Sequence, residues 1–381
     1  MANGDGRRVR VAVIFGGQSD EHDVSLRSAQ TVIGALDPER YEVVPVGITR
    51  DGRWLTSEPM AALTATSPLF HPIAETIPDT AEDFGGIYIG HAPAPLPEAR
   101  SMTTGVSEIL ARDVDVVFPV LHGPRGEDGT VQGLLELAGV PYVGSGVLGS
   151  SVGMDKAMSK TVFAQAGLPQ VPWLLVQRRD WQGDPDGVRA RIAEEIGFPC
   201  FVKPANMGSS VGVSKVHGLD ELDSAMTAAA HHDRRIMVEW GVDVRELEVS
   251  VLGNEDPVAS VVGEIVPANE FYDYEAKYID AGSELVIPAD LPAETVAEIQ
   301  RVAVEAFRVL DLAGLARVDF FVERTTGEVW LNEVNTIPGF TATSMYPLLW
   351  EATGVPLPKL VDALVELALD RHASGRVGPT A

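Results

Sequence analysis

Two short runs near the C-terminal end bring together the side chains that a divalent cation and a phosphate would need. Arg317-Val318-Asp319-Phe320-Phe321 and Leu331-Asn332-Glu333-Val334-Asn335 read as neighbouring antiparallel strands joined at Thr325-Thr326-Gly327. Residues two apart in a strand share a face, so Arg317 lies with Asp319, and Glu333 with Asn335. Two carboxylates, an amide oxygen and a guanidinium are thereby gathered. Hard cations such as Mg2+ take oxygen ligands, usually one or two carboxylates completed by substrate phosphates, so the set fits a metal–nucleotide site. A solvated salt-bridge face has the same composition. Here, however, apolar residues flank the strands, and the following Thr336-Ile337-Pro338-Gly339-Phe340 leaves room for a ligand.

A second run, Lys203-Pro204-Ala205-Asn206-Met207-Gly208-Ser209-Ser210-Val211-Gly212-Val213, places a lysine at a strand end before a small-residue loop. Glycine and serine let backbone N–H groups approach an anion, and the ammonium adds charge, which suits a phosphate cradle. A plain hairpin turn has similar composition, and the spacing is not that of a GxxxxGK[ST] loop. Gly16-Gly17-Gln18-Ser19-Asp20-Glu21-His22 and His122-Gly123-Pro124-Arg125-Gly126-Glu127-Asp128-Gly129 each follow an apolar strand, at the strand ends where open α/β sheets bind ligands. Lysine is scarce: Lys156, Lys160, Lys203, Lys215, Lys277 and Lys359 are the only six. Lys277 sits in Phe271-Tyr272-Asp273-Tyr274-Glu275-Ala276-Lys277-Tyr278, which lacks helical or strand period and reads as a surface loop able to close over a site.

The elements that must carry these groups follow from hydrophobic pattern. Val9–Phe15 is a nearly continuous apolar run, hence a buried parallel strand, and a helix capped by Asp23 or Ser25 should follow with Val24, Ala29, Val32, Ile33 and Leu36 inward. Further strands are expected at 41–49, 114–121, 173–177, 200–204, 247–252, 258–266, 316–322 and 329–333, with helices ending near Ala138 and spanning 155–166. Residues 56–100 read as an irregular excursion, followed by helix over 104–112. The strand–helix alternation implies an α/β fold whose first part is a doubly wound parallel sheet.

Composition narrows the function classes. The 381 residues are 45% hydrophobic and 22% charged, as expected of a folded chain of two or three units. A net charge of −26 argues against nucleic acid or an anionic membrane as partner. No apolar run is long enough to span a bilayer and no targeting segment is visible, so a cytoplasmic location is expected. Cys200, the single cysteine, lies in an apolar run and reads as core.

Taken in order, the HGPRGEDGTVQG run from His122, the EAKY run ending at Tyr278 and the NEVNTIPG run from Asn332 resemble the D-alanine–D-alanine ligases of the ATP-grasp superfamily, over about residues 9 to 350. The resemblance implies three domains: 1-146, a doubly wound α/β domain; 147-240, the central ATP-grasp domain; and 241-381, the C-terminal ATP-grasp domain with the metal site and mobile loop. The nucleotide would lie between the last two. It implies ATP-dependent joining of two D-alanine molecules through an acyl phosphate, for peptidoglycan precursors. Two Mg2+ would assist, with Mn2+ as substitute, K+ as a further candidate and a homodimer as the usual assembly.

Residue roles carry over in the same way. Lys156 and Lys203 look like phosphate-binding lysines, and Gly208, Ser209, Ser210 and Val211 like the loop over the transferred phosphoryl group. Glu239, Trp240 and Val242 resemble the adenine hinge, and Glu246 the ribose-binding acid. Asp319, Glu333 and Asn335 look like the metal ligands, with Asn332 beside them at the nucleotide. Glu21 resembles the acid that receives the first alanine's ammonium, in contact with Ser209 and Tyr278. Lys277 and Arg317 look like stabilisers of the phosphoryl group, Arg317 with the Gly339 N–H like an oxyanion hole, Ser344 like the second alanine's carboxylate site, and His122 like a neighbour of the first alanine. Met207 stands where the family commonly has a charged or polar residue. Family members that use D-lactate generally replace the EAKY loop, so Tyr278 favours an amine as second substrate. Another ATP-grasp ligase would lack the Glu21 and His122 runs, and a regulator without catalysis would not keep Arg317 and all three metal ligands.

Overall fold

The computed structural model describes residues 7–55, 114–267 and 284–375. The excursion at 56–100, the helix at 104–112 and the 271–278 loop with Lys277 and Tyr278 lie outside the described residues. In chain order the strands are β1 (Val9–Gly16), β2 (Tyr41–Ile48), β3 (Trp54–Leu55), β4 (Val116–Val120), β5 (Trp173–Gln177), β6 (Cys200–Pro204), β7 (Ser214–Val216), β8 (Arg235–Trp240), β9 (Val244–Gly253), β10 (Val258–Val266), β11 (Glu284–Val286), β12 (Gly314–Glu323) and β13 (Val329–Asn335). The described helices are α1 (His22–Ala35), α2 (Thr130–Ala138), α3 (Val147–Met154), α4 (Lys156–Gln165), α5 (Arg178–Gly183), α6 (Pro185–Glu195), α7 (Leu219–His232), α8 (Ala293–Val309), α9 (Met345–Ala352) and α10 (Leu357–Gly375).

The chain divides into two compact units, of mixed α/β character. Unit 1 comprises Met1–Val147, Ala313–Leu315 and Ile337–Ala381; unit 2 comprises Leu148–Leu312 and Ala316–Thr336. In unit 1 the sheet order is β3-β2-β1-β4, with β1 parallel to β2 and β4 and the short β3 antiparallel at the edge. Helix α2 packs Val131 and Leu135 against Ala12 and Ile14, while α1 also lies on β1, so nearly every β1 residue is buried and the run loses its alternation. Residues 337–381 return to this unit because α10 buries Leu360, Val361, Leu364, Val365 and Ala368 and packs on α1 and β4. That grouping differs from the expected placement of 241-381 in one domain; nothing local in the sequence marks which sheet an amphipathic helix will cover.

The N-terminus of α1 also differs from expectation. Glu21, not Asp23 or Ser25, is the N-cap residue, without a side-chain capping bond. Ser25 Oγ is used elsewhere: it accepts the Gly16 N–H at 2.8 Å and donates to the Val120 carbonyl, fastening the ends of β1 and β4. A buried strand end needs such partners more than a helix start with access to loop groups.

Unit 2 holds two sheets. The first, β5-β8-β6-β7, is antiparallel and packs Cys200, Val202, Val216, Ile236 and Val238 against Leu222, Ala225, Met226 and Ala229 of α7. Cys200 is fully buried and burial pushes its thiol up to about 11, in keeping with a core role. The second sheet, β11-β10-β9-β12-β13, packs Val249, Val251, Val318, Phe320 and Leu331 against Ile299, Val302, Ala303 and Phe307 of α8.

Candidate active site

In unit 2 the β12–β13 register decides which side chains meet. Arg317 pairs with Asn335 and Asp319 with Glu333, directly across the ladder, and a bulge follows between Asp319 and Phe320. All four residues therefore share one face. Arg317 donates through Nε and Nη2 to the two oxygens of Asp319, each at 2.7 Å, and its Nε lies 2.9 Å from Glu248 on β9. Burial alone would loosen the guanidinium's proton, but Asp319 and Glu248 overcome it and raise its pKa well above the ordinary value.

Asn335 Nδ2 donates to Asp319 Oδ2 at 3.0 Å. A carboxylate only accepts, so this contact assigns the amide nitrogen to Asp319 and leaves the amide oxygen to act as a ligand. The bulge takes up Asn332, which has no partner in the ladder, and the buried Asn332 Oδ1 has no hydrogen-bond partner.

The lysines converge from another direction. Asp155 caps α4 by accepting the Met158 N–H at 3.0 Å, and it also pairs with Arg235 on β8. Helix α4 thus starts at a fixed place, and Lys156 and Lys160, one turn apart, share a face. Lys156 Nζ lies 3.3 Å from Glu333 and donates to the Met207 carbonyl at 2.8 Å. The loop is held through its backbone, so the identity of the Met207 side chain matters little to this contact. Lys160 Nζ lies 2.8 Å from Glu239 Oε1, and Lys203 pairs with Glu239 Oε2. Glu239 and Lys203 are diagonal neighbours on β8 and β6, since Phe201 faces Glu239 and Lys203 faces Met237. Burial raises the Glu239 carboxyl's affinity for a proton, yet Lys160 and then Lys203 outweigh that and hold it below the usual carboxylate range.

The loop from Gly208 has a backbone suited to anions. Ser209, Ser210 and Gly212 have φ of 49°, 59° and 72°, and the Val211 and Val213 N–H groups close turns onto Gly208 and Ser210. Two consecutive non-glycine residues in the left-handed region are strained by about 1–2 kcal/mol each, a pattern that clusters at ligand sites. Of the residues expected at the adenine and ribose, Trp240 stacks edge to face on Trp330 with centroids 6.1 Å apart, and Val242 and Glu246 are half-buried.

Lys156, Lys160, Lys203 and Arg317 are thus matched by Glu239, Glu248, Glu333 and Asp319. A polyphosphate entering a cluster already neutral must bring cations with it. Among the described residues no three His, Cys, Asp or Glu form a metal cluster by themselves. Asp319, Glu333 and the Asn335 oxygen fit a hard cation whose remaining ligands come from phosphates.

Unit 1 carries the other candidates. Glu21 is buried, and a Cβ at Gly123, whose φ is +75°, would stand 2.9 Å from its Oε2. Ser19 Oγ donates to the His122 carbonyl at 2.6 Å, so the two glycine-rich turns are tied together. His122 Nδ1 faces the Ile337 carbonyl at 2.9 Å, which makes Nδ1 a donor, and Nε2 lies 3.3 Å from Ser28 Oγ. Ser28 Oγ in turn accepts the Phe340 N–H at 3.0 Å. Glu127 accepts the Gly123 N–H at 2.9 Å and the Ile337 N–H at 3.2 Å. His122, Glu127 and Ser28 therefore grip both sides of the 337–340 segment that presents Gly339. Ser344 Oγ accepts from the Thr341 N–H at 3.0 Å and is 3.0 Å from where a Gly339 Cβ would lie.

Lys160, Glu248 and Glu127 are the participants that the motifs do not single out. Each had a signal: Lys160 is one helical turn from Lys156, Glu248 is two residues along one strand from Glu246, and Glu127 lies inside the His122 run.

Comparison with known proteins identifies the family. Residues 10–145 match the family described as D-ala D-ala ligase N-terminus, and residues 162–366 match D-ala D-ala ligase C-terminus. The D-alanine--D-alanine ligase of Acetivibrio thermocellus is 48% identical over 373 residues, 96% of this chain and 97% of that protein. That of Geobacillus kaustophilus is 49% identical over 365 residues, 96% of each. Among solved structures, the D-alanine-D-alanine ligase from Coxiella burnetii superposes with a TM-score of 0.75 at 36% identity, over 96% of this chain and 95% of that one. The VanG D-Ala:D-Ser ligase from Enterococcus faecalis gives 0.75 at 33%, over 95% and 100%. With both family regions matched in order and nearly the whole chain covered at close to half identity, the chain belongs to the D-alanine–D-alanine ligase family.

Proposed function

We propose that the two units divide the work of an ATP-dependent ligase, unit 2 holding the nucleotide and metal and unit 1 binding the amino-acid substrates. The reaction is the joining of two D-alanine molecules for cell-wall peptidoglycan synthesis, driven by ATP and assisted by a divalent metal. The carboxylate of the first D-alanine attacks the γ-phosphorus of ATP, releasing ADP and forming an acyl phosphate. The amine of the second then attacks the acyl carbon, and the tetrahedral intermediate collapses to dipeptide and phosphate. The first step brings two anions together, so positive charge must be in place beforehand.

The observation that carries this reading is the β12–β13 register, which puts Arg317, Asp319, Glu333 and Asn335 on one face. Asp319, Glu333 and Asn335 would hold the metal, which would screen the phosphate oxygens. Lys156 and Lys203 bind phosphates under the Gly208–Val211 loop, Glu239, Trp240 and Val242 border the adenine, Glu246 takes the ribose, and Asn332 lines the same site. Arg317 and Lys277 neutralise the transferred phosphoryl group, and Arg317 with the Gly339 N–H stabilises the oxyanion. Glu21, with Ser209 and Tyr278, receives the first ammonium. Ser344 takes the second carboxylate. His122 acts next to the first alanine chiefly by holding Ile337, given that both its ring nitrogens face the clamp described above.

The fold reading is ATP-grasp, with unit 2 acting as two lobes, about 147–240 and 241–336, supported by their separate sheets and cores. Mg2+ as the working ion with Mn2+ as substitute, a K+ requirement, a homodimer and a cytoplasmic location rest on the family resemblance; among the described residues no helix is long and apolar enough to cross a membrane. The test is phosphate release from ATP with D-alanine, L-alanine, D-serine and D-lactate offered singly and in pairs. D-alanine alone should support release with one dipeptide per phosphate. Release with L-alanine but not D-alanine would overturn the assignment.

A further inference from the structure

One buried ammonium has no part in the reaction as described. Lys160 is 1% exposed, against 9% for Lys203, and so cannot reach a phosphate, while methionine would fill the same volume without burying a charge. Its ammonium lies 2.8 Å from Glu239 Oε1, and the other oxygen of that carboxylate, itself buried, pairs with Lys203. One carboxylate thus holds two ammonium groups, one sealed in and one at the edge of the site. If Glu239 had Lys203 alone, moving Lys203 to a phosphate would strand a buried carboxylate, and that penalty would oppose nucleotide binding. With Lys160 in place, Glu239 keeps a counterion whichever way Lys203 turns.

We propose that Lys160 is a positioning residue of the nucleotide site, holding one oxygen of Glu239 so that Lys203 can exchange its bond with the other for a nucleotide phosphate. The proposal rests on the reading of unit 2 as that site. Burial lowers the Lys160 pKa, and the Glu239 carboxylate 2.8 Å away opposes that loss. The effect belongs to the nucleotide and not to D-alanine, because the group that Lys160 frees, Lys203, is assigned to phosphate, and neither lysine is among the residues proposed to hold D-alanine.

Calorimetric titration with Mg-ADP tests this on the full chain. Lys160→Met should weaken ADP binding by roughly tenfold or more, with the KM for D-alanine within about twofold of the parent, and Lys160→Arg, which keeps the charge, should recover most of the affinity. Unchanged ADP affinity in Lys160→Met, equal losses in the Met and Arg variants, or a D-alanine KM that rises in step would each overturn it. Should neither variant fold, the parent protein answers alone. With only six lysines, 15Nζ-lysine NMR can follow each ammonium, assigned through Lys→Arg variants at the other positions. On Mg-ADP addition the Lys203 signal should shift and that of Lys160 should stay; a Lys160 shift as large as that of Lys203 would refute the exchange. If the parent does not bind Mg-ADP, the nucleotide-site reading itself falls; if it binds and Lys160→Met binds equally well, this inference alone falls.

Discussion

Replacing Glu127 by glutamine changes one atom of a clamp that both glycine-rich chemistry in unit 1 and the Gly339 segment depend on. The carboxylate accepts two backbone N–H groups, from Gly123 at 2.9 Å and Ile337 at 3.2 Å. Glutamine offers one oxygen and one NH2, so either orientation points a donor at a buried donor. A hydrogen bond to a charged group is worth about 1.5–3 kcal/mol, and an unsatisfied buried N–H costs about 1–3, so the exchange should destabilise unit 1 by roughly 2–4 kcal/mol. The catalytic effect arises because the Ile337 peptide is two residues before Gly339, the proposed oxyanion donor. Removing an oxyanion donor outright lowers kcat by about 100- to 1000-fold, and a displaced one should lose on the order of 10- to 100-fold. Steady-state ADP release and urea unfolding measure the two effects. The KM for ATP should stay close to that of the parent, because the proposed nucleotide groups are in unit 2. A Glu127→Gln enzyme with parental kcat and parental unfolding midpoint would refute the clamp.

Gly123→Ala puts a Cβ at a φ of +75° and 2.9 Å from Glu21 Oε2. The strain is about 1–2 kcal/mol, and displacement of Glu21 should raise the KM for D-alanine several-fold while leaving that for ATP unchanged, as initial-rate kinetics would record. Asp319→Asn removes a carboxylate that both takes the bidentate Arg317 bond and faces the proposed metal. Its kcat should fall by about 100-fold or more, with a higher Mg2+ concentration needed for half-maximal rate in a metal titration. Glu239→Gln leaves Lys160 and Lys203 buried without their carboxylate and should lower stability by about 3–5 kcal/mol in denaturant unfolding. The sign of the pH effect follows. The folded Glu239 carboxyl titrates below its unfolded value, so its stabilisation is present above the ordinary carboxylate range and fades as pH falls through the depressed value. Acid unfolding of the parent should therefore be steeper than that of Glu239→Gln.

The hairpin at the proposed metal site was legible because its information is local: a period of two and a short turn set the faces, and the register followed. Strand β1 was legible for the opposite reason, a run so apolar that only burial on both sides accounts for it. Helix α10 was not, because its partners α1 and β4 are more than 200 residues earlier and a buried stripe states only that some surface will be covered. Ser25 misled as a cap because a serine at a helix start and a serine fastening two strand ends look alike in sequence. The polar partners were hidden similarly. Glu127 and Glu248 have the residue type of ordinary surface acids, and only their burial beside Ile337 N–H and Arg317 gives them roles.

The proposed reaction requires oxygen atoms from one strand pair to meet a cation beside buried lysines. Crystals grown with ADP, phosphate and Mn2+, measured for anomalous scattering, test that most directly. Manganese should lie about 2.1 Å from oxygens of Asp319, Glu333 and Asn335, with phosphate oxygens completing its shell and Lys156 and Lys203 on the same phosphates. A manganese peak away from these three residues, or ADP bound with Lys156 and Lys203 turned from its phosphates, would contradict it.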